Sequence, residues 1–298
     1  MLLWIVASDT VLSKNFRSNC LFSCPRRLQR AKNIRTFIAA SLSRVFVGNS
    51  VGSTANGTHG TNIHPGMVVH LEEEETQHLR ARRIEENQVL EVFDGSGYVG
   101  RAILLGYSKG SRRSAEILVQ SWAMKEEEQL VKLTVGVGLP KAKRGDWLME
   151  KLSEIGVDTV IPIHYERTNS EPYERDRKQR WQKICISACK QCCRNRLMKI
   201  EEEQSFQNIL SKQQVYKHWD QVYVASMEAT RPMILPPVKS TSILALIGPE
   251  GGLTPQEEKI ASDVGAHFIK LNRYTLRVET AAIVLASQIF SFSDNISY

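Results

Sequence analysis

The sequence predicts an α/β protein with two folded parts, a small β-barrel followed by a parallel sheet that helices cover on both faces. Three observations lead to this prediction. Short alternating strands fill the chain from about Met67 to Trp122. From Leu130 onward, strands alternate with helices, which is the order that builds parallel sheets. Two polar loops follow strands of this second part, where open α/β sheets bind their ligands.

Residues 1–53 have the composition of an organelle-targeting segment. They hold eight of the 39 basic residues but only one of the 32 acidic ones, Asp9, and they are rich in serine. Transit peptides share this profile, so we expect a chloroplast address, with the mitochondrion as the alternative. A secretory signal and a disordered basic tail are the other interpretations. The apolar run at residues 1–7 is short, and basic residues follow it instead of preceding it.

The rest of the chain carries no net charge. Taking eight basic residues from 39 and one acidic residue from 32 leaves 31 of each. Any affinity for nucleic acid must therefore come from local clusters of charge. Residues 54–66, rich in Gly, Asn and Thr, predict a flexible linker. No apolar run reaches the roughly 18–20 residues that cross a bilayer, so we expect no membrane partner.

Residues 67–125 predict the β-barrel. Alternating apolar residues at 67–71, 89–93, 97–105 and 115–119 are separated by glycine-containing turns, a spacing typical of small barrels. A helix is expected at residues 75–84, and it carries three basic side chains, Arg80, Arg82 and Arg83.

Residues 129–298 predict the parallel sheet. Strands are expected at 130–139, 157–164, 222–227, 243–247 and 267–271. Helices are expected at 143–155 and 176–194, and an almost wholly apolar helix at 280–290 closes the domain. Four cysteines crowd into nine residues of the second helix, at Cys185, Cys189, Cys192 and Cys193. They extend an apolar helical stripe and have no second ligand cluster, so we expect packing and no metal.

The strongest motif is a glycine loop between a strand and a helix. Gly248, Glu250, Gly251 and Gly252 follow the strand at 243–247, and glycines permit positive φ and close approach of a ligand to the backbone. The next residues predict a helix start, because Thr254 suits an N-cap, Pro255 the first helical position and Glu257 a capping box. A tight turn without a ligand is the alternative. The loop matches neither a Walker motif nor a dinucleotide fingerprint.

A second polar loop follows the strand at 267–271. It runs from Leu271 through Leu276-Arg277-Val278-Glu279-Thr280-Ala281 into the closing helix. The carboxyl ends of parallel strands meet at one edge of a sheet, so we expect both loops to contribute to one site.

The two loops together resemble the SPOUT class of knotted methyltransferases, and more narrowly the RsmE-type family, which methylates N3 of a uridine in small-subunit (16S-type) ribosomal RNA. Residues 150–162 and 180–196 fit the same family, and the barrel segment with Phe93-Asp94-Gly95 resembles its PUA-like RNA-binding domain. The resemblance covers about residue 66 to the end. The sequence departs from the family at Lys190, where an acid is usual, and at Cys193, where glycine or a small residue is usual.

This resemblance implies S-adenosylmethionine as cofactor, no metal, a trefoil knot, a homodimer, and small-subunit ribosomal RNA or the ribosomal subunit as partner. The implied cofactor residues are Gly248, Glu250, Gly251, Gly252, Leu271, Leu276, Thr280 and Ala281. Arg277 is the candidate cation that stabilises a developing negative charge, and Glu279 is the candidate proton acceptor, although a helix N-terminus also favours an acid.

Local basic clusters are the candidate RNA contacts. They comprise Arg80, Arg82, Arg83, Lys141, Lys143, Arg144, Arg194 and Arg196. Two other functions remain open on the sequence: an RNA-binding assembly factor of the same fold without catalysis, and a methyltransferase that acts on transfer RNA.

Overall fold

The computed structural model describes residues 42–48, 63–108, 114–125, 131–140, 143–168, 175–229 and 241–294. Residues 1–41 of the expected targeting segment, and residues 54–62 of the expected linker, lie outside the described residues.

The amino-terminal part is a five-stranded sheet with one helix. Its strands are β1 (Arg44–Phe46), β2 (Val68–His70), β3 (Val89–Phe93), β4 (Tyr98–Tyr107) and β5 (Ala115–Met124), and its helix is α1 (Glu73–Ala81). The strands follow the order β1-β3-β4-β5-β2. The pairs are antiparallel except β1 with β3.

Alternation along the strands fills one core, as the sequence predicts. In β5 the side chains of Ala115, Ile117 and Val119 point inward, where they pack with Leu79 of α1 and with residues of the other strands. Within the part of the chain that the structure describes, no ladder joins β1 to β2. The sheet is therefore open between its end strands, and the expected barrel is not closed by hydrogen bonds.

β1 corrects the expected boundary of the targeting segment. Arg44, Val45 and Phe46 pair in parallel with residues 91–93 of β3, and Val45 is fully buried. The folded part therefore begins by residue 42, not after residue 53. Composition places this boundary too late because it is averaged over a long window, and a strand of three residues gives no periodic signal of its own.

The second part is an all-parallel sheet. Its strands are β6 (Val131–Val137), β7 (Thr159–His164), β8 (Lys199–Ile200), β9 (Gln204–Ser205), β10 (Gln221–Ala225), β11 (Thr241–Ile247) and β12 (His267–Ile269). Their order is β12-β10-β11-β6-β7-β8, with β9 beside β7. The helices are α2 (Lys143–Ile155), α3 (Arg175–Cys192), α4 (Phe206–Ile209), α5 (Lys212–His218), α6 (Pro255–Asp263) and α7 (Val278–Asp294).

Helices cover both faces of this sheet, which confirms the predicted α/β architecture. Alternate residues of β11 divide between two cores. Ile243 and Ile247 face a core that includes residues of α2, α3 and α7. Leu244 and Leu246 face a core that includes residues of α4, α5 and α6. Burial on both sides explains why residues 243–247 of the strand form an unbroken apolar run.

The apolar side of α7 packs inside the chain itself. Ala282, Leu285, Ala286 and Ile289 are buried in the core of the sheet. The hydrophobic character of this helix is therefore accounted for within one subunit, and it gives no argument for a dimer.

Two of the four cysteines confirm the packing interpretation, whereas for Cys193, which is exposed and lies after the end of α3, the prediction is wrong. Cys185 and Cys189 are buried, and burial raises the pKa of Cys185 to about 12 and also raises the pKa of Cys189. A thiol with so high a pKa stays protonated at neutral pH and is a poor nucleophile. Cys192 is partly buried and Cys193 is exposed.

Cys193 lies just after α3 and adopts a φ of 62°. This left-handed conformation suits glycine at the end of a helix and strains other residues. We therefore expect Cys193→Gly to raise the free energy of unfolding by about 0.5–1 kcal/mol in urea denaturation. Cys192→Gly is the matched control, because Cys192 is the last residue of α3 and has no left-handed φ, so a glycine there relieves no strain and should not raise the stability. Equal effects at both positions would contradict this explanation.

Arg44 joins the two parts of the molecule. Its side chain leaves β1 and donates from Nη1 to Cys189 O at 2.8 Å and to Arg194 O at 3.0 Å, and from Nη2 to Asn195 Oδ1. Its Nε lies 2.6 Å from Glu91 Oε1. The carbonyls near the end of α3 have no partner in the helix, so this buried guanidinium caps them.

A second buried contact lies beside it. Lys190 Nζ of α3 is 2.6 Å from Glu75 Oε1 of α1, and both side chains are largely buried. The other carboxylate oxygen of Glu75 accepts from Phe46 N at 3.2 Å. Lys190, which departs from the family pattern, is therefore paired with an acid of the amino-terminal part. The acid that is usual at this position in the family would instead lie beside the like charge of Glu75.

Candidate functional site

A cavity of about 590 Å³ lies at the carboxyl edge of β10, β11 and β12. These strands are neighbours in the sheet, although β10 and β12 are far apart in sequence. Three loops form the walls: residues 226–228 after β10, residues 248–253 after β11, and residues 271–277 before α7. The volume is within the roughly 300–1,000 Å³ of small-molecule sites.

The glycine loop is fixed by its own turn and by the helix that follows. Gly252 has a φ of 70°, and its N–H donates to Pro249 O at 2.9 Å. The predicted capping box is confirmed: Thr254 N donates to Glu257 Oε2 at 2.8 Å, and Glu257 N donates to Thr254 Oγ1 at 3.3 Å. The loop therefore enters α6 in one defined direction.

Arg167 braces the outer side of this loop. Its Nη1 donates to Gly251 O at 3.0 Å and to Leu253 O at 3.2 Å. A β-carbon added to Gly251 would lie 3.2 Å from Arg167 Cβ. A side chain at this position would therefore press on the arginine that holds the loop, and one methyl group would need Arg167 to shift by a few tenths of an ångström.

Most residues expected to bind a cofactor line the cavity. These are Gly248, Glu250, Gly251, Gly252, Leu271, Leu276 and Ala281, and the candidate cation Arg277 lines it as well. Thr280 does not lie in the cavity wall. The two loops therefore meet at one cavity, as expected, and Thr280 of α7 lies outside its wall; their binding of a cofactor stays a prediction.

Glu279 is buried and lies outside the cavity wall. Its Oε1 is 3.8 Å from Arg144 Nη1, and the same guanidinium is 3.7 Å from Glu250 Oε1. The other oxygen of Glu279, Oε2, has no hydrogen-bond partner among the described residues. Arg144 therefore bridges the glycine loop and the first turn of α7. The role of Glu279 as proton acceptor stays a prediction that its position does not favour.

Sequence reasoning missed the third loop. This loop lines the cavity with Ser226, Met227 and Glu228. These residues form no recognisable motif, and the sequence does not show that the preceding strand, β10, lies beside β11. Phe268 and Tyr274 also line the cavity. Only a general rule could have indicated this third loop: all strands of a parallel sheet direct their carboxyl ends to the same edge, so each loop after a strand is a candidate for the site.

The candidate RNA contacts divide into exposed and buried arginines. Arg80, Arg82 and Arg83 are exposed on α1 and just after it, and Arg80 lies 5.1 Å from the ring centre of Tyr107. Arg196 is exposed as well. Lys143 is exposed at the start of α2, and Lys141 lies outside the described residues.

Arg194 is a correction. It is only 7% exposed, and its Nη1 donates to Ser153 O at 3.1 Å and Val157 O at 2.8 Å. The guanidinium of Arg194 is buried and donates to two backbone carbonyls, so it is not accessible to the phosphates of an RNA. The prediction that Arg194 binds RNA is therefore wrong. Charge and position in a basic run gave no indication that this side chain turns inward.

Membrane-spanning helices and metal-binding clusters are both absent from the described residues. In that part of the chain no helix is both long and apolar enough to span a membrane. The same residues contain no cluster of three or more His, Cys, Asp or Glu side chains that is able to hold a metal ion.

The sheet and cavity define an α/β domain with a ligand-sized cavity at the carboxyl edge of its strands, where open α/β sheets bind their ligands, and with one wall made of a glycine loop. The chain belongs to the RNA methyltransferase domain family, whose sequence profile matches residues 126–290.

Bacterial relatives extend this likeness over most of the chain. It is 27% identical to the ribosomal RNA small subunit methyltransferase E of Bacillus subtilis over 228 residues, which is 72% of this chain and 87% of that protein. It is also 27% identical to the enzyme of the same name from Aquifex aeolicus over 229 residues, 76% of this chain and 96% of that protein.

Solved structures share the fold. The ribosomal RNA small subunit methyltransferase E of Neisseria gonorrhoeae, bound to S-adenosyl methionine, matches with a TM-score of 0.71 and 25% identity, over 85% of this chain and 98% of that one. A methyltransferase from Legionella pneumophila with bound cofactor SAM matches with a TM-score of 0.72 and 21% identity, over the same shares of each chain.

Proposed function

We propose that the chain transfers a methyl group from S-adenosylmethionine to N3 of a uridine in small-subunit ribosomal RNA of an organelle. The observation that carries the proposal is the cavity, which brings the glycine loop and Arg277 to one place in a member of the RNA methyltransferase domain family. The names of the bacterial relatives support the choice of RNA.

The residues present fit the cofactor. Leu271, Leu276 and Ala281 give the cavity an apolar wall suited to an adenine ring, and Glu228 and Glu258 supply carboxylates at its border. S-adenosylmethionine carries a cationic sulfonium and an ammonium group, which favour nearby negative charge. When bound, it supplies an electrophilic methyl group.

The chain's own residues prepare the acceptor. Methylation at N3 requires loss of the imide proton, which passes to solvent and leaves negative charge on the ring carbonyls. Arg277 lines the cavity, and a cation there stabilises that charge and lowers the pKa of the bound imide. Holding the base against the cavity supplies much of the remaining rate. The base must leave any stack to reach this position.

The amino-terminal sheet is proposed as the PUA-like RNA-binding part. Arg80, Arg82 and Arg83 provide exposed positive charge there, and Arg196 adds to it at the join with the second part. The homodimer and the knot rest on the resemblance to the family. The organelle address rests on the composition of the segment before residue 42, and the location of a fluorescent fusion carrying residues 1–41 tests it.

Gly251→Val is expected to weaken the binding of S-adenosylmethionine at least tenfold. The larger side chain would displace Arg167 and with it the loop that lines the cavity. Isothermal titration calorimetry measures the affinity, and Gly251→Ala should have a smaller effect because one methyl group needs a shift of only a few tenths of an ångström. A folded Gly251→Val variant with unchanged affinity would remove this loop from the site.

Transfer of labelled methyl groups tests the function. Purified small ribosomal subunits, large subunits and transfer RNA are offered separately with S-adenosylmethionine, and we expect label in the small subunits alone. Label in transfer RNA would favour the alternative substrate. Tight cofactor binding without transfer to any RNA would favour an assembly factor.

A further inference from the structure

Tyr274 is an exposed aromatic residue at the mouth of the cavity. Its exposed fraction is 63%, yet it is part of the cavity wall. The inner wall is made of residues that are buried or half-buried, such as Leu271, Leu276 and Ala281. Tyr274 therefore lies at the outer border, between the cavity and solvent.

Two contacts hold the tyrosine in this position. Tyr274 N donates to Asn272 Oδ1 at 3.2 Å, a local side-chain turn that shapes the loop. The guanidinium of Arg273 lies 4.6 Å from the centre of the tyrosine ring, within the range of a cation–π interaction. A cation thus covers one face of an exposed ring beside the site.

We propose that Tyr274 and Arg273 form a stacking surface for a nucleobase of the substrate RNA, next to the base that enters the cavity. This inference rests on the proposed function, because it takes RNA as the substrate. Single-stranded bases are recognised by stacking on aromatic rings and guanidinium planes. A base stacks on the ring face that Arg273 leaves free, and the positive charge of Arg273 attracts the adjoining phosphate.

Placement at the mouth separates this role from cofactor binding. A ligand that fills the cavity meets the apolar inner wall first, whereas RNA approaches from solvent and meets the exposed ring. Stacking on Tyr274 fixes the strand while the neighbouring base is turned out. The surface contributes positioning and affinity for RNA and takes no part in proton or methyl transfer.

The test compares Tyr274→Ala with Tyr274→Phe in the full chain. Tyr216→Ala is the matched control, since Tyr216 is 70% exposed on α5 and does not line the cavity. Binding of a fluorescently labelled, uridine-containing single-stranded RNA is followed by anisotropy, and binding of S-adenosylmethionine by calorimetry. A duplex of the same sequence serves as a second probe.

We expect Tyr274→Ala to weaken binding of the single strand by about 5- to 150-fold, the range found for base stacking on an aromatic residue. Tyr274→Phe and Tyr216→Ala should keep the wild-type affinity for the single strand, and Tyr274→Ala should lower the affinity for S-adenosylmethionine far less than the affinity for the single strand. The duplex should respond little, because its bases are already stacked.

Three results would overturn the inference: unchanged single-strand binding by Tyr274→Ala, an equal loss of cofactor binding, or no RNA binding by the wild-type chain. RNA binding that depends on Tyr274, without methyl transfer, would leave the stacking surface standing and refute only the proposed function.

Discussion

Replacing Arg44 with methionine is expected to lower the free energy of unfolding by about 3–5 kcal/mol, the usual cost of removing one partner from a buried charged network. The guanidinium is 4% exposed and serves two carbonyls, one amide oxygen and one carboxylate. Methionine fills similar space but donates nothing, so buried acceptors at the end of α3 lose their partner. Urea denaturation followed by circular dichroism measures the change.

Arg101→Met is the matched control, because Arg101 is exposed on β4 of the same sheet and surface substitutions change stability by about 0.5 kcal/mol or less. A chain that begins at residue 60 should be destabilised as well, since it lacks β1 and Arg44, whereas one that begins at residue 42 should keep the stability of the longer chain. Equal stability of Arg44→Met and Arg101→Met would refute the capping role.

Replacing Arg277 with glutamine is expected to lower kcat about 100- to 1,000-fold, the range for loss of one preorganised group that stabilises transition-state charge. The affinity for S-adenosylmethionine should change far less, because the proposed role of Arg277 is toward the base. Single-turnover transfer to small ribosomal subunits measures the chemical step apart from binding. Arg277→Lys keeps the charge and should recover part of the rate.

The pH profile separates this role from simple loss of structure. A cation beside the base favours the deprotonated imide and lowers its pKa. Without it that pKa rises, so the rate of Arg277→Gln should continue to increase at pH values where the wild-type rate has levelled off. A uniform loss across the pH range, together with weaker cofactor binding, would show that Arg277 holds the site together and does not act on the acceptor.

The sequence predicts the parts of this molecule that depend on interactions between residues close together in the chain. The capping box of Thr254 and Glu257, the span of α2 and the apolar strand β11 follow from short-range rules of spacing and side-chain type. The two cavity loops were found for the same reason, since glycines and polar residues at strand ends mark them.

What the sequence could not predict depends on contacts between distant segments. Arg194 and Arg196 stand two residues apart in one basic run, but one is buried on backbone carbonyls and the other is exposed. Arg44 looked like part of a basic leader, because its acceptors lie about 150 residues away. The loop after β10 enters the site only because the order of the sheet places that strand between β11 and β12.

The most direct test of the central claim is identification of the methylated nucleoside. Small ribosomal subunits that lack the modification are incubated with the full chain and S-adenosylmethionine, and the RNA is then digested and analysed by mass spectrometry. We predict 3-methyluridine at a single position, formed by the wild-type chain and strongly reduced with Arg277→Gln. Methylation of another base or of a ribose, or no methylated nucleoside at all, would contradict the account.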